Sequence, residues 1–436
     1  MLFHRKLIFP LIRNLVILTL LILSIYQVSL TIKSVYSEKA SPFDFKVIYL
    51  AAKAWVQGIN PYDHTLLPKL WEEKGGEPEN LPNFNLTPSL YPITTYVILS
   101  PLGLFKWYQA KYIFSTVNLL SFIPMYFALL LLIRGHLFGW QAILLLALSL
   151  ALCPFTESIL LGQPALLAAS LLMVSLWIST LESRRDILSG VLLALSLSLK
   201  PQIGIIFFIY FGFSRRWAII TSCFSAIIIV ILIGILRIGL DDFHWINGWM
   251  GNLQIAFGSG GVNDPIISNR YAIFLTNLHY PLHNLISNKF FLNCAIIAIA
   301  LIEILIFRNY VNINTNNYCD NLLYFSVLSI INLIAFYHRH QDAILLVIPL
   351  SLIVLLLGTR YKYYALLLLF TISPFMNPLM LGFAIKSREY YLNHCALMVW
   401  HKKIFLLCLS SYQCLSLFIF SVLLIYLAAI RTHDTG

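Results

Sequence analysis

The run Asn14–Ile32, NLVILTLLILSIYQVSLTI, decides the fold. It carries no charged side chain and is about as long as the roughly 20 residues an α-helix needs to cross about 30 Å of hydrocarbon. The basic residues His4, Arg5 and Lys6 precede it, and basic flanks stay on the cytoplasmic side. No small-residue cleavage pattern follows the apolar core, so the run is expected to be a retained first span rather than a signal peptide.

The rest of the chain repeats this character. Of its 436 residues 59% are hydrophobic and 11% charged, with a mean hydropathy of +0.82. A soluble domain cannot bury so much apolar surface, whereas lipid accepts it. A transmembrane β-barrel would alternate in short segments, and here the runs are continuous. The expected fold is an all-α polytopic membrane protein. The formal net charge of +11 comes from Lys and Arg between apolar runs, such as Arg184–Arg185, Arg215–Arg216 and Arg360 with Lys362. That pattern fits cytoplasmic loops and not a nucleic-acid surface. The seven cysteines lie mostly inside apolar runs without a CxxC spacing, as small buried hydrophobes do.

Candidate spans fall near 14–32, 91–105, 112–133, 140–154, 164–181, 187–199, 202–213, 217–236, 290–307, 321–336, 342–358, 362–376 and 404–430. Several are short, which is tolerated where protein rather than lipid covers the backbone. Two long segments do not span: 33–89 and 237–289. Their Trp, Tyr, Pro, Asn and Gly content suits folded loops at a membrane interface. With the N-terminus inside, both loops, the Lys200–Pro201 tip and the Tyr337–Asp342 turn are expected on the extracytoplasmic face. The count between 134 and 164 does not close with this scheme, so a re-entrant or displaced segment is expected there.

Polar groups inside so apolar a chain are the candidates for chemistry. In SPFDFKVIYLAAKAWVQGINPY (Ser41–Tyr62), Asp44 opens a helical pattern that Gly58 closes. Asp44 can cap that helix, or act as a general base near the membrane, where partial desolvation raises a carboxyl pKa. In YHRHQD (Tyr337–Asp342), ionisable groups at the end of a span are costly and point to function. Arg339 can hold two phosphate oxygens. His338 or His340 can hydrogen-bond a phosphate or a sugar hydroxyl, and Asp342 can orient a neighbour; the alternative is a cluster that snorkels to the interface. Lys200 either snorkels or meets an anionic lipid phosphate. Gln163, in LLGQP, is a turn residue or a sugar contact. Arg270 beside Tyr271 reads as a solvated loop charge. There is no Gly-rich phosphate loop, GxSxG, HExxH or dinucleotide fingerprint. The adjacent Asp241 and Asp242 are a poor match to a metal-bridging DxD.

Five pieces in order carry a resemblance: DFKVIYLAAKAWVQGINPY (Asp44–Tyr62), LYPITTYVILSPLGLF (Leu90–Phe105), LGQPALLAASLL (Leu161–Leu172), LSGVLLALSLSLKPQ (Leu188–Gln202) and YHRHQDAILLVIPL (Tyr337–Leu350). Together they resemble glycosyltransferase family 87, the polyprenyl-phosphate-mannose-dependent mannosyltransferases and their relatives. The resemblance implies a GT-C-type bundle of about 11–13 transmembrane helices with a long first extracytoplasmic loop. It implies an inverting transfer of a sugar, mannose or another hexose or pentose, from a polyprenyl phosphate to a lipid or glycan hydroxyl at the outer face of the plasma membrane. Asp44 would then be the base. His338 or His340, Arg339, Lys200, Gln163 and Asp342 would serve the donor's phosphate and sugar. No metal or other cofactor is expected, since protein cations can stabilise a phosphate leaving group. The partners are the donor lipid, the acceptor and membrane lipids, with no nucleic acid. A transporter of lipid-linked saccharides is the alternative, but it would spread its charges along several helices. A polymerase or ligase of such saccharides would lack the Asp44 loop pattern. Residues beyond about 380 carry no part of the resemblance.

Overall fold

Nearly every apolar run becomes a helix, because a backbone in lipid must satisfy its own N–H and C=O groups. The computed structural model describes residues 2–37, 42–63, 65–73, 88–239, 244–286, 288–308, 318–394 and 407–435, with the single positions 310 and 405. Asp241, Asp242 and Cys395 lie outside the described residues. In chain order the helices are α1 (Leu2–Val35), α2 (Phe43–Val56), α3 (Leu67–Glu73), α4 (Ile93–Gly103), α5 (Trp107–Leu120), α6 (Phe122–Leu132), α7 (Trp140–Ala151), α8 (Cys153–Leu161), α9 (Ala165–Ser179), α10 (Asp186–Leu199), α11 (Pro201–Phe213) and α12 (Trp217–Ile238). They continue as α13 (His244–Phe257), α14 (His279–His283), α15 (Lys289–Arg308), α16 (Tyr318–Ala335), α17 (Val347–Leu357), α18 (Lys362–Ile372), α19 (Leu379–His394) and a C-terminal helix Tyr412–Thr435.

Among the described residues six helices are long and apolar enough to cross a membrane: Pro10–Val35, Trp107–Leu132, Trp217–Ile238, Lys289–Arg308, His340–Leu357 and Tyr412–Arg431. The chain is thus an all-α, multi-pass membrane protein, with fewer full-length spans than the expected 11–13. Much of the remainder is short: Ile93–Gly103, Ala165–Ser179, Pro201–Phe213, Cys319–Ala335 and Lys362–Met376. The unclosed count at 134–164 has a physical cause. Helices α7 and α8 are bent by 51° at Leu152, which is extended (ψ 122°) ahead of Pro154, a residue with no N–H to continue the ladder. Helix α19 carries Lys386, Arg388 and Glu389, which break the apolar run that marks a span.

The α10–α11 hairpin sets the depth of the site. Nε of Arg216 donates to Oδ2 of Asp186 at 3.0 Å and its Nη2 to the carbonyl of Ser179 at 2.9 Å. These bonds tie the chain before α10 to the chain after α11, so Lys200 lies at the opposite tip, about 20 Å away at 1.5 Å per residue. Pro201 fits at the first position of α11, where an N–H has no helical partner anyway.

Helix α2 is held rigidly although it lies outside the spans. Phe45 is fully buried, stacked on Phe114 at 4.3 Å and on Trp107 at 5.8 Å. Nζ of Lys53 donates to the Tyr49 hydroxyl at 3.0 Å and to the Gly103 carbonyl at 3.2 Å, where α4 runs out of helical N–H partners. Trp55 Nε1 donates to the Gly234 carbonyl of α12 at 3.0 Å. The helix ends as the sequence suggests, with Gly58 at φ +75°, a conformation that favours glycine.

Candidate active site

A cavity of about 420 Å³ gathers side chains from distant parts of the chain. Asp44, Tyr91, Gln163, Lys200, Asn263, Arg339 and Asp342 all line it. The structure therefore brings together both long non-spanning segments, the Lys200 tip and the Tyr337–Asp342 turn. The remaining wall is largely apolar, with Ile205, Leu253, Phe257 and Phe336.

Asp44 does not cap its helix. The N-cap is Pro42, with no side-chain cap bond. One turn of α2 aims Asp44 inward instead, and its Oδ2 accepts a hydrogen bond from Nε2 of Gln163. Burial pushes the Asp44 carboxyl above its ordinary range; the Gln163 bond, then Arg339 and Lys200, pull it back, and Asp342 opposes them. The side chain is a proton acceptor whose charge is discouraged by desolvation and supported by nearby cations.

Gln163 reaches Asp44 because the turn before it comes unusually close. Gly162 closes α8 in the left-handed conformation, φ +67° and ψ 41°. A Cβ there would lie 2.5 Å from Cβ of Phe45 and 3.0 Å from Cβ of Pro42. The turn is held by the Gln163 N–H on the Ser158 carbonyl and by Nδ2 of Asn118 on the Gln163 carbonyl, both at 2.9 Å. Oε1 of Gln163 accepts from the Tyr91 hydroxyl and from Nζ of Lys200, the latter at 3.0 Å. Burial pushes the Tyr91 phenol well above its ordinary pKa, and Asp44 and Asp342 add to this, so it stays a protonated donor.

The Tyr337–Asp342 turn sorts its side chains by backbone geometry. Arg339 is extended, φ −104° and ψ 168°, and bridges Leu275 of the second long segment. Tyr337, Arg339, Gln341 and Asp342 line the cavity, and His338 and His340 do not; from His340 onward the chain is a 3-10 helix. Both histidines were expected at a donor; the structure places them behind the wall. His338 is fully buried with Nδ1 3.4 Å from Oδ2 of Asp342, and its carbonyl accepts from the Thr276 N–H at 3.0 Å. His340 stacks on Phe375 at 5.7 Å and puts Nδ1 2.7 Å from Oε2 of Glu157.

Lys200 does not snorkel. Its Nζ lies 2.5 Å from Oδ1 of Asp342, with the two side chains only 4% and 1% exposed. A pair so buried must be matched and hydrogen-bonded to be tolerated, and Oδ2 of Asp342 also takes the Arg339 N–H at 3.2 Å. Nε of Arg339 is buried without a hydrogen-bond partner among the described residues. The cavity thus sets a carboxylate that can take a proton in reach of two cations that can hold an anionic oxygen. Arg270 is exposed, donates to the Tyr271 hydroxyl at 2.6 Å and does not line the cavity.

Sequence reasoning missed Tyr91, Asn263 and Glu157. Tyr91 stood in the Tyr-Pro piece, where proline forces an extended neighbour, but nothing local says that its hydroxyl meets Gln163. Asn263 accepts the Tyr337 hydroxyl from a polar loop where an asparagine carries no signal of its own. Glu157 sits in an otherwise apolar helix, and that isolation was the available cue.

No curated protein matches the chain, and no solved structure does. The model of glycosyltransferase family 87 matches residues 90–328, a segment that holds Tyr91, Gln163, Lys200 and Asn263. Because that match covers more than half of the sequence, the chain belongs to glycosyltransferase family 87.

Proposed function

We propose that this glycosyltransferase moves a sugar, mannose or another hexose or pentose, from a polyprenyl phosphate to a hydroxyl of a lipid or glycan acceptor. The reaction takes place at the extracytoplasmic face of the plasma membrane. One observation carries the reading: Asp44 shares a cavity with Lys200 and Arg339, three charges that come from segments far apart in sequence. An apolar wall beside those cations suits a donor with a hydrocarbon tail. The α10–α11 hairpin, about 20 Å long and shorter than the bilayer core, keeps Lys200 within reach of a headgroup.

The step balances in one displacement. Asp44 takes the proton of the acceptor hydroxyl as its oxygen bonds to the anomeric carbon from the face opposite the phosphate. The anomeric carbon–oxygen bond to phosphate breaks, its electron pair leaves with the polyprenyl phosphate, and the configuration inverts. Lys200 and Arg339 stabilise the charge that grows on the leaving oxygens. A solvated lysine would do this less well, because its interaction with the phosphate would be screened.

The test is transfer by purified protein in lipid nanodiscs, offered a panel of radiolabelled polyprenyl-phosphate sugars. Wild type is expected to release polyprenyl phosphate and a labelled product of inverted configuration. Asp44→Asn should lose about 10²–10⁴-fold in rate, the range for a general base, with insertion intact. Retained turnover in Asp44→Asn would remove it as the base. Movement of intact donor across the bilayer without bond cleavage would replace the enzyme reading with the transporter.

A further inference from the structure

We propose that Gln163 is a positioning residue for Asp44: its amide is locked so that its N–H orients the carboxylate and favours the ionised form. This rests on the reading of Asp44 as the base. It differs from the sequence expectation, which put Gln163 on the donor.

The lock follows from donor and acceptor chemistry. An ammonium has three donors and no acceptor, so the Gln163 atom facing Lys200 must be oxygen. Tyr91 donates to the same Oε1. A carboxylate is acceptor-only, so the atom facing Asp44 must be nitrogen. Both ends demand one orientation, and a flipped amide would lose its bonds to Asp44 and Lys200 at a residue only 5% exposed. The main chain is fixed as well, through Ser158 and Asn118. Two donors on Oε1 polarise the amide and strengthen its N–H. Oδ2 of Asp44 is thereby engaged, which leaves Oδ1 to receive the acceptor's proton.

The charged and titratable groups that bear on Asp44 are Arg339, Lys200 and Asp342, with the phenols of Tyr91 and Tyr337. Lys46 and Lys53 on the same helix are turned elsewhere, to the rings of Trp71 and Trp107 and to the carbonyls of Gly103 and Phe105. Burial works against the carboxylate, and the Gln163 N–H works for it. Without that N–H, Asp44 must reach a higher pH before it ionises, so the acid limb of activity moves up.

The experiment compares wild type with Gln163→Met and with Gln163→Asn, a shorter amide that keeps a polar group beside Lys200 and Tyr91 if the methionine variant does not fold. The first readout is the infrared titration of the Asp44 carboxyl without substrate, each protein against its own Asp44→Asn counterpart. The second is the pH profile of transfer. The midpoint and the acid limb are both expected to rise by about one to two pH units, as a hydrogen bond to a charged group is worth, while the donor KM changes little. An unmoved midpoint with a raised donor KM overturns the proposal and returns Gln163 to the donor. If wild type transfers no sugar, the base reading fails, and the infrared midpoint alone still decides whether Gln163 sets the ionisation of Asp44.

Discussion

Replacing Gly162 by alanine tests how closely the site is built. The new Cβ would sit 2.5 Å from Cβ of Phe45 and 3.0 Å from Cβ of Pro42. Carbon atoms rest at about 3.5–4.0 Å, so the contact is short by about 1 Å. Phe45 has nowhere to go, being fully buried between Phe114 and Trp107. The Gly162–Gln163 turn must retreat instead and take the amide off Asp44. A non-glycine residue at φ +67° costs about 1–2 kcal/mol more. Displacement by about 1 Å at a reacting constellation lowers a rate by about 10²-fold. The assay is transfer in nanodiscs beside a thermal unfolding curve. Gly58→Ala is the control: φ is +75°, but the added Cβ meets only the Arg237 carbonyl at 3.7 Å. It should lose some stability and keep its rate. A folded Gly162→Ala protein as active as the control would refute the claim that this approach positions Gln163.

Arg339→Ala should raise the donor KM by about 10–100-fold, from the loss of a charge-assisted contact worth about 1.5–3 kcal/mol, and leave the acceptor KM nearly unchanged; equal donor affinity would remove Arg339 from the phosphate. Lys200→Met should destabilise the fold by about 3–5 kcal/mol, because Asp342 is left charged and buried. Adding Asp342→Asn should restore part of the thermal midpoint without restoring transfer. If the double variant is no more stable than Lys200→Met, the 2.5 Å pair is not what penalises the single change.

The sequence alone determined that the chain lives in a membrane and is helical, because hydropathy is a sum over neighbours and needs no tertiary information. It also singled out most of the polar groups that meet in the cavity, since a charge in an apolar chain is costly wherever it lies and is kept for a reason. Helix lengths were less legible: the candidate span 140–154 runs past the end of α7 into α8, and the break falls at the extended Leu152. The tertiary structure alone decided direction and partnership. His338 and His340 are as reactive by type as Arg339, yet neither lines the cavity: His338 is buried beside Asp342 and His340 meets Glu157. Asp44 fits a helix cap by position, yet it bonds Gln163 because Gly162 lets two elements touch. Sequence reports what a residue can do; which of its neighbours it meets is set by backbone torsions and close contacts between segments more than a hundred residues apart.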